Sequence, residues 1–243
     1  MTFDLVWSIM EHVGVIAFAI SGAVVAIDRE MDLVGVVLLS FITSFGGGIL
    51  RDLLLGAYTG RGISTPLFFT DSYATLRLVC LIASVAVIVF AMAFKTKFIK
   101  EEKLLDSLNN YIDAIGIGAF TVSGASLAVE TVGADAFVAI LMGVIACIGG
   151  GVLRDMMLND VPFVLRKRIY ILATAAGAAV FYIIYKLDPE LEIMAMIVGA
   201  LTTITIRVLA TIFRWNIPKA INFSKERAEL EAEGASDESG ESV

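Results

Sequence analysis

Charge is what this chain has least of. Of 243 residues only 18 % are Asp, Glu, Lys or Arg, against 58 % hydrophobic, and the mean hydropathy is +0.86. A soluble domain of that length exposes more polar surface, so soluble classes are excluded and the chain reads as an integral membrane protein. The apolar-polar alternation of outer-membrane barrel strands is missing as well. Histidine occurs once, at His12, and cysteine twice, at Cys80 and Cys147, both inside apolar runs. That scarcity excludes a disulfide framework, a metal-ligand cluster and a serine nucleophile with a histidine base. No phosphate loop or dinucleotide fingerprint is present, so neither an enzyme nor a cofactor is expected. No basic segment precedes the first apolar run, and a cleaved signal peptide is not expected.

What the chain does have is long apolar runs. Seven spans can be drawn, near 6–27, 33–55, 75–95, 111–129, 136–158, 168–186 and 193–213. Each approaches the ~20 residues that ~30 Å of hydrocarbon requires of a helix, giving an all-α membrane fold over residues 1–220. From Ser224 onward seven acidic and two basic residues supply −5 of the net −7, leaving −2 for the remainder. That acidic tail, 224–243, is expected to be disordered and cytosolic. Loop cations set the orientation. Arg29, Lys95, Lys97, Lys100, Lys103, Arg166, Lys167, Arg168, Arg214, Lys219, Lys225 and Arg227 fall on one side, and Arg61, Arg77 and Lys186 on the other. The N-terminus is thus expected outside and the C-terminus in the cytosol. Lys95 to Lys103 form a basic loop suited to anionic headgroups in general.

The chain also repeats itself. Residues 14–23 (GVIAFAISGA) match 116–125 (GIGAFTVSGA), and Gly46-Gly47-Gly48-Ile49-Leu50-Arg51-Asp52 matches Gly149-Gly150-Gly151-Val152-Leu153-Arg154-Asp155. Pro66 and Pro162 follow the triplets, and a third span follows each proline. The unit is three spans used twice (about 5–97 and 108–187), with a seventh span at 193–213. An odd unit inverts its second copy, the arrangement in which transport sites lie near the midplane at the repeat interface.

The duplicated polar residues have both a packing and a functional reading. Glycine lets helices approach closely, but it also breaks or kinks a helix, and duplication followed by Leu-Arg-Asp favours a functional break. Neighbouring residues on a helix point about 100° apart, so Arg51 and Asp52 need partners elsewhere. Depth in the spans suggests two symmetry-related pairs, Glu11–Arg51 and Asp113–Arg154, serving either as structural bridges or as charges at a pore. Ser21 and Ser123 are helix contacts or pore-lining hydroxyls. Arg207 in span 7 has no repeat counterpart and is expected to satisfy carbonyls or an acidic partner. His12 aligns with Ala114 and stands outside the symmetric set.

Two copies of Gly-Gly-Gly-x-Leu-Arg-Asp, each preceded by Ser-Gly-Ala in the previous span, resemble the prokaryotic branch of the trimeric intracellular cation (TRIC) channel family, also catalogued as a "glycine transporter" domain. The resemblance covers about residues 5–220. It implies seven helices as an inverted 3+3 repeat plus one, kinked in helices 2 and 5, and a homotrimer with a pore in each subunit. It also implies permeation of K⁺ with Na⁺ tolerated, in the plasma (inner) membrane of a prokaryote. The glycines that would shape and gate the pore are Gly46, Gly47, Gly48, Gly149, Gly150 and Gly151, with Ser21 and Ser123 nearby. Animal members carry a Lys-Glu-Val segment tied to inositol lipids; residues 123–130 hold no lysine, so that regulation is not implied. On this reading Glu11, Asp52, Asp113 and Asp155 accompany the carbonyls and hydroxyls around a hydrated path, with the arginines paired. Inverted repeats serve a carrier of a small amino acid such as glycine equally well, and a non-transporting scaffold is the third reading.

Overall fold

The computed structural model describes residues 3–58, 66–93, 102–166, 169–213, 215 and 227. Lys95, Lys97, Lys100 and the acidic tail beyond Arg227 lie outside the described residues. Seven long helices carry the fold: α1 (Phe3–Asp28), α2 (Leu33–Tyr58), α3 (Ala74–Ala93), α4 (Glu102–Val132), α5 (Ala136–Met157), α6 (Ile169–Leu187) and α7 (Glu192–Ile212). All seven are long and apolar enough to cross a membrane, and no strand occurs among the described residues. α4 is longer than the apolar run alone predicts, because its first turns are built from polar residues such as Asn109 and Asn110.

Local chemistry fixes several ends. Asp135 caps α5 by accepting the Val138 amide at 2.9 Å, and Asp32 accepts the Gly35 amide at 2.7 Å where α2 starts. Gly133 takes φ +61° just after α4, a left-handed geometry that closes a helix with least strain in glycine.

α4 is the centre of the bundle, with 78 % of its span buried, whereas α3 has 17 % and lies at the periphery. α4 packs on α1, α5, α6 and α7, while α2 packs on α1, α3 and α5. Within each half the first helix contacts the second and third, and the second contacts the third. Where α1 meets α4 the matched residues interlock. Phe18 and Phe120 stand 5.2 Å apart, and a Cβ on Gly14 or Gly116 would come within 2.8 Å of the opposite ring.

The glycine triplets do not break their helices. α2 and α5 stay helical from end to end, through Gly46–Gly48 and Gly149–Gly151. The physical reason is packing, since the two helices cross at the triplets with their backbones in contact. A Cβ on Gly47 would overlap the Ala146 carbonyl oxygen, and one on Gly150 would overlap the Thr43 carbonyl oxygen. Glycine's backbone cost is offset by an approach that no larger residue allows.

Candidate functional site

Only the first two glycines of each triplet make that crossing. A Cβ on Gly46 would meet Leu153 at 2.7 Å, and one on Gly149 would meet the Gly47 Cα at 2.8 Å. The third glycines face space instead. A Cβ on Gly151 would have no neighbour within 4 Å, and one on Gly48 would have only the Arg51 head, at 3.7 Å. Because residues three apart share a helix face, a bare position at Gly48 leaves room for the guanidinium of Arg51.

Arg51 uses that room to fold back on its neighbour. Its Nε and Nη2 each reach Asp52 Oδ1 at 2.9 Å, so the sequence-based expectation that Arg51 and Asp52 need separate partners is corrected. A long, flexible side chain overrides the angle between adjacent Cβ directions. Arg154 does the same with Asp155 at 2.8 Å.

Around Arg51 a sealed polar knot forms. Nη1 lies 3.5 Å from Glu11 Oε1, and the Tyr73 hydroxyl donates to Glu11 Oε2 at 2.9 Å. Asp52 Oδ2 accepts the Leu67 amide at 2.8 Å. The Arg51 and Glu11 side chains are 1 % and 3 % exposed. The Tyr73 ring is buried as well, so its hydroxyl is turned to Glu11 and not to solvent. Arg77 holds the connecting segment in place by donating to the carbonyls of Phe68 and, at 3.0 Å, of Thr70, with its head over the Phe68 ring. Ionisable groups are costly at this depth unless they satisfy one another, as these do.

The second half carries the same residue types in a different arrangement. Asp113 pairs with Arg207 of α7 at 3.7 Å and hydrogen-bonds Tyr170, whose ring lies 4.4 Å beneath the Arg207 guanidinium. The expected Asp113–Arg154 pair is therefore not formed among the described residues. Arg207 has displaced it, and Arg154 donates to the Ser21 hydroxyl at 3.3 Å instead. Between Asp113 and Arg154 opens a cavity of about 320 Å³, lined also by Ser21, Asn109, Gly151 and Asp155. It sits at the end of the bundle where α1 and α5 finish and α4 and α6 begin.

Ser123 does not reach this cavity. It is buried and bonded to the Phe120 carbonyl of its own helix, so the two matched serines differ in role. His12 hydrogen-bonds the Ser8 carbonyl on its own helix at 2.7 Å. No group of three metal-ligating side chains occurs among the described residues. Tyr73 and Tyr170 were missed from sequence, although a signal exists. Each starts a third span, seven residues after Pro66 and eight after Pro162, with the same one-residue offset as the triplets.

A family model described as glycine transporter matches residues 8–92 and 110–186, one block in each half. Among relatives, the UPF0126 inner membrane protein YadS of Escherichia coli K12 is 31 % identical over 86 % of this chain and 92 % of its own length. A UPF0126 membrane protein of Deinococcus radiodurans is 33 % identical over 70 % of this chain and 71 % of its own. A solved structure described as that of a TRIC cation channel is 36 % identical, covers 91 % of this chain and 98 % of its own, and superposes with a TM-score of 0.73. The TRIC orthologue from Rhodobacter sphaeroides is 31 % identical over 86 % of this chain and 99 % of its own, also at 0.73. The matched blocks, the shared seven-helix fold and the paired glycine triplets lead to one conclusion: this chain belongs to the glycine-transporter (UPF0126) family, the prokaryotic branch of the TRIC channels.

Proposed function

We propose that this chain is a passive channel for monovalent cations, K⁺ with Na⁺ also carried, whose pore runs inside each subunit between α2 and α5. The reading draws on the relatives described as TRIC cation channels and on one observation above all. A cavity of about 320 Å³ reaches inward to Gly151, the triplet glycine beside the crossing, and Asp113, Asp155 and Ser21 lie on its wall. Both carboxylates carry a counter-charge, Arg154 on Asp155 and Arg207 on Asp113, so the support lies in the carboxylate and hydroxyl oxygens on the wall, which can replace part of a cation's hydration shell. Arg154 is tolerable in such a path because Asp155 neutralises it at 2.8 Å.

On this reading the two halves are an inverted repeat, the cavity is the cytosolic vestibule and the Arg51 knot closes the outer side. The chain functions in a prokaryotic plasma membrane as a homotrimer, with its N-terminus outside and its C-terminus in the cytosol. Pore shape comes from the crossing of two unbroken helices at their glycines, with Gly48 and Gly151 turned away from the contact. Planar bilayers with K⁺ on one side and Na⁺ on the other test the proposal. The expected result is discrete unitary steps with a reversal potential set by the cations alone. Saturable, ion-coupled uptake of labelled glycine without unitary steps would overturn it in favour of a carrier. That second reading has its own support, since a cavity open at one end and lined by both charge signs suits a zwitterion.

A further inference from the structure

We infer that Arg207 is a positioning residue: by holding Asp113 away from Arg154 it keeps the cavity half open, and the Glu11–Arg51 contact is the same device in its closed setting. The inference rests on the channel reading for its meaning, but its geometry and its test do not depend on conduction.

The two halves offer the same parts. Each has an acid on its first helix (Glu11, Asp113), an Arg-Asp pair at the end of its second (Arg51-Asp52, Arg154-Asp155) and a tyrosine at the third (Tyr73, Tyr170). In the first half the acid and the arginine are 3.5 Å apart and nearly excluded from solvent, and the tyrosine hydroxyl closes the ring onto the acid. In the second half the tyrosine again bonds the acid, and the arginine again holds its neighbouring aspartate. The acid and the arginine, however, line a cavity together rather than touching. One further group distinguishes this half, the guanidinium of Arg207, reaching in from the helix that lies outside the repeat.

Charge balance gives the direction of the effect. Asp113 has two cations near enough to act on it, Arg207 and Arg154, and it pairs with the former. Arg207 is itself 4 % exposed and stacked on Tyr170, so it has little freedom to follow Asp113 elsewhere. With Arg207 neutralised, the half-buried Asp113 carboxylate keeps Arg154 as its remaining cation, and closure onto it satisfies both charges. That closure would consume the cavity and reproduce around Arg154 what already surrounds Arg51. The two halves thus hold the same parts in two settings, one sealed and one open, and the settings differ by the one added cation.

Gly151 provides a clean reporter, because it lines the cavity and a Cβ there meets nothing within 4 Å. The experiment measures the rate at which an uncharged, water-soluble maleimide modifies Gly151→Cys in the purified full chain in lipid nanodiscs. The parent chain, whose Cys80 and Cys147 are buried, sets the background. Adding Arg207→Gln is expected to lower the rate about tenfold, the size of an ordinary coupling between sites. Adding Asp113→Asn to that variant, which removes the attraction to Arg154, is expected to bring the rate back to within about twofold of the reporter alone. An unchanged rate in Arg207→Gln, or a loss that Asp113→Asn does not reverse, overturns the inference. A merely structural arginine would give the second of these outcomes. Should Arg207→Gln not elute as the native assembly does, Arg207→Lys, with and without Asp113→Asn, carries the same comparison with a smaller expected slowing. Silent bilayers with a shifting labelling rate would sink the channel reading alone, and unitary steps with an unmoved rate would sink this inference alone.

Discussion

At the scale of single residues, position within the glycine triplet decides what a methyl group does. Gly47→Ala places a Cβ against the Ala146 carbonyl oxygen, which is backbone and cannot step aside without separating α2 from α5. We expect a loss of about 1–3 kcal/mol, the usual cost of overpacking, read as a lowered midpoint of thermal unfolding in detergent. Gly151→Ala meets no neighbour and should leave that midpoint within experimental scatter. Because it narrows the cavity, unitary conductance should fall while the fold is unaffected. The sequence displayed three equal glycines in each copy. It could not divide them, since which face of α2 meets which face of α5 is a tertiary fact. Tyr73 offers a third single-residue test. Tyr73→Phe removes the donor to Glu11 and leaves a buried carboxylate oxygen short of a partner, at a cost of about 1–3 kcal/mol by the same unfolding measurement.

At the scale of elements, the order and number of helices were legible because seven apolar runs have one physical explanation in a bilayer. The identity of the polar partners was legible only where chain depth sufficed to predict it. Glu11 and Arg51 lie at matched depth on neighbouring helices, and they meet at 3.5 Å. Asp113 and Arg154 satisfy the same criterion, yet Asp113 goes to Arg207, because depth says nothing of a competitor arriving on a seventh helix. Of the two outcomes the triplets allow, a break or a kink, a break does not occur, and for a related reason. Glycine weakens a helix in isolation, but here the crossing contact supplies more than the propensity removes. The Arg51 knot also links four elements, since α1, α2, the segment after Pro66 and the approach to α3 all contribute to it. Removing its central cation should therefore cost more than any methyl. Arg51→Ala leaves Glu11 and Asp52 buried without their counter-charge, and we expect a loss of about 3–5 kcal/mol, seen as poor recovery of folded protein after solubilisation. Asp160→Ala removes a far more exposed ion pair, with Arg29, and should be nearly silent in the same assay.

At the scale of the whole molecule, the asymmetry between ends joins fold, orientation and function into a single claim. One end is sealed by mutually satisfied charges, and the other opens into a cavity that extends to Gly151. On the proposed orientation the open end faces the cytosol, since Arg29 and Arg166 flank it in sequence while Arg77 and Lys186 belong to the opposite end. A thiol at position 151 reads both statements together. In vesicles turned inside out, a membrane-impermeant maleimide should modify Gly151→Cys readily. In right-side-out vesicles the same reagent must cross the Arg51 knot, and labelling should be slower by about tenfold or more, as expected when the competent state is a minor population. Equal labelling from both sides would mean that the sealed end opens freely, and faster labelling from the outside would reverse the orientation. Either result would move the vestibule while leaving the helix packing as it is, because the glycine crossing and the interlocked Phe18 and Phe120 do not depend on which way the bundle faces.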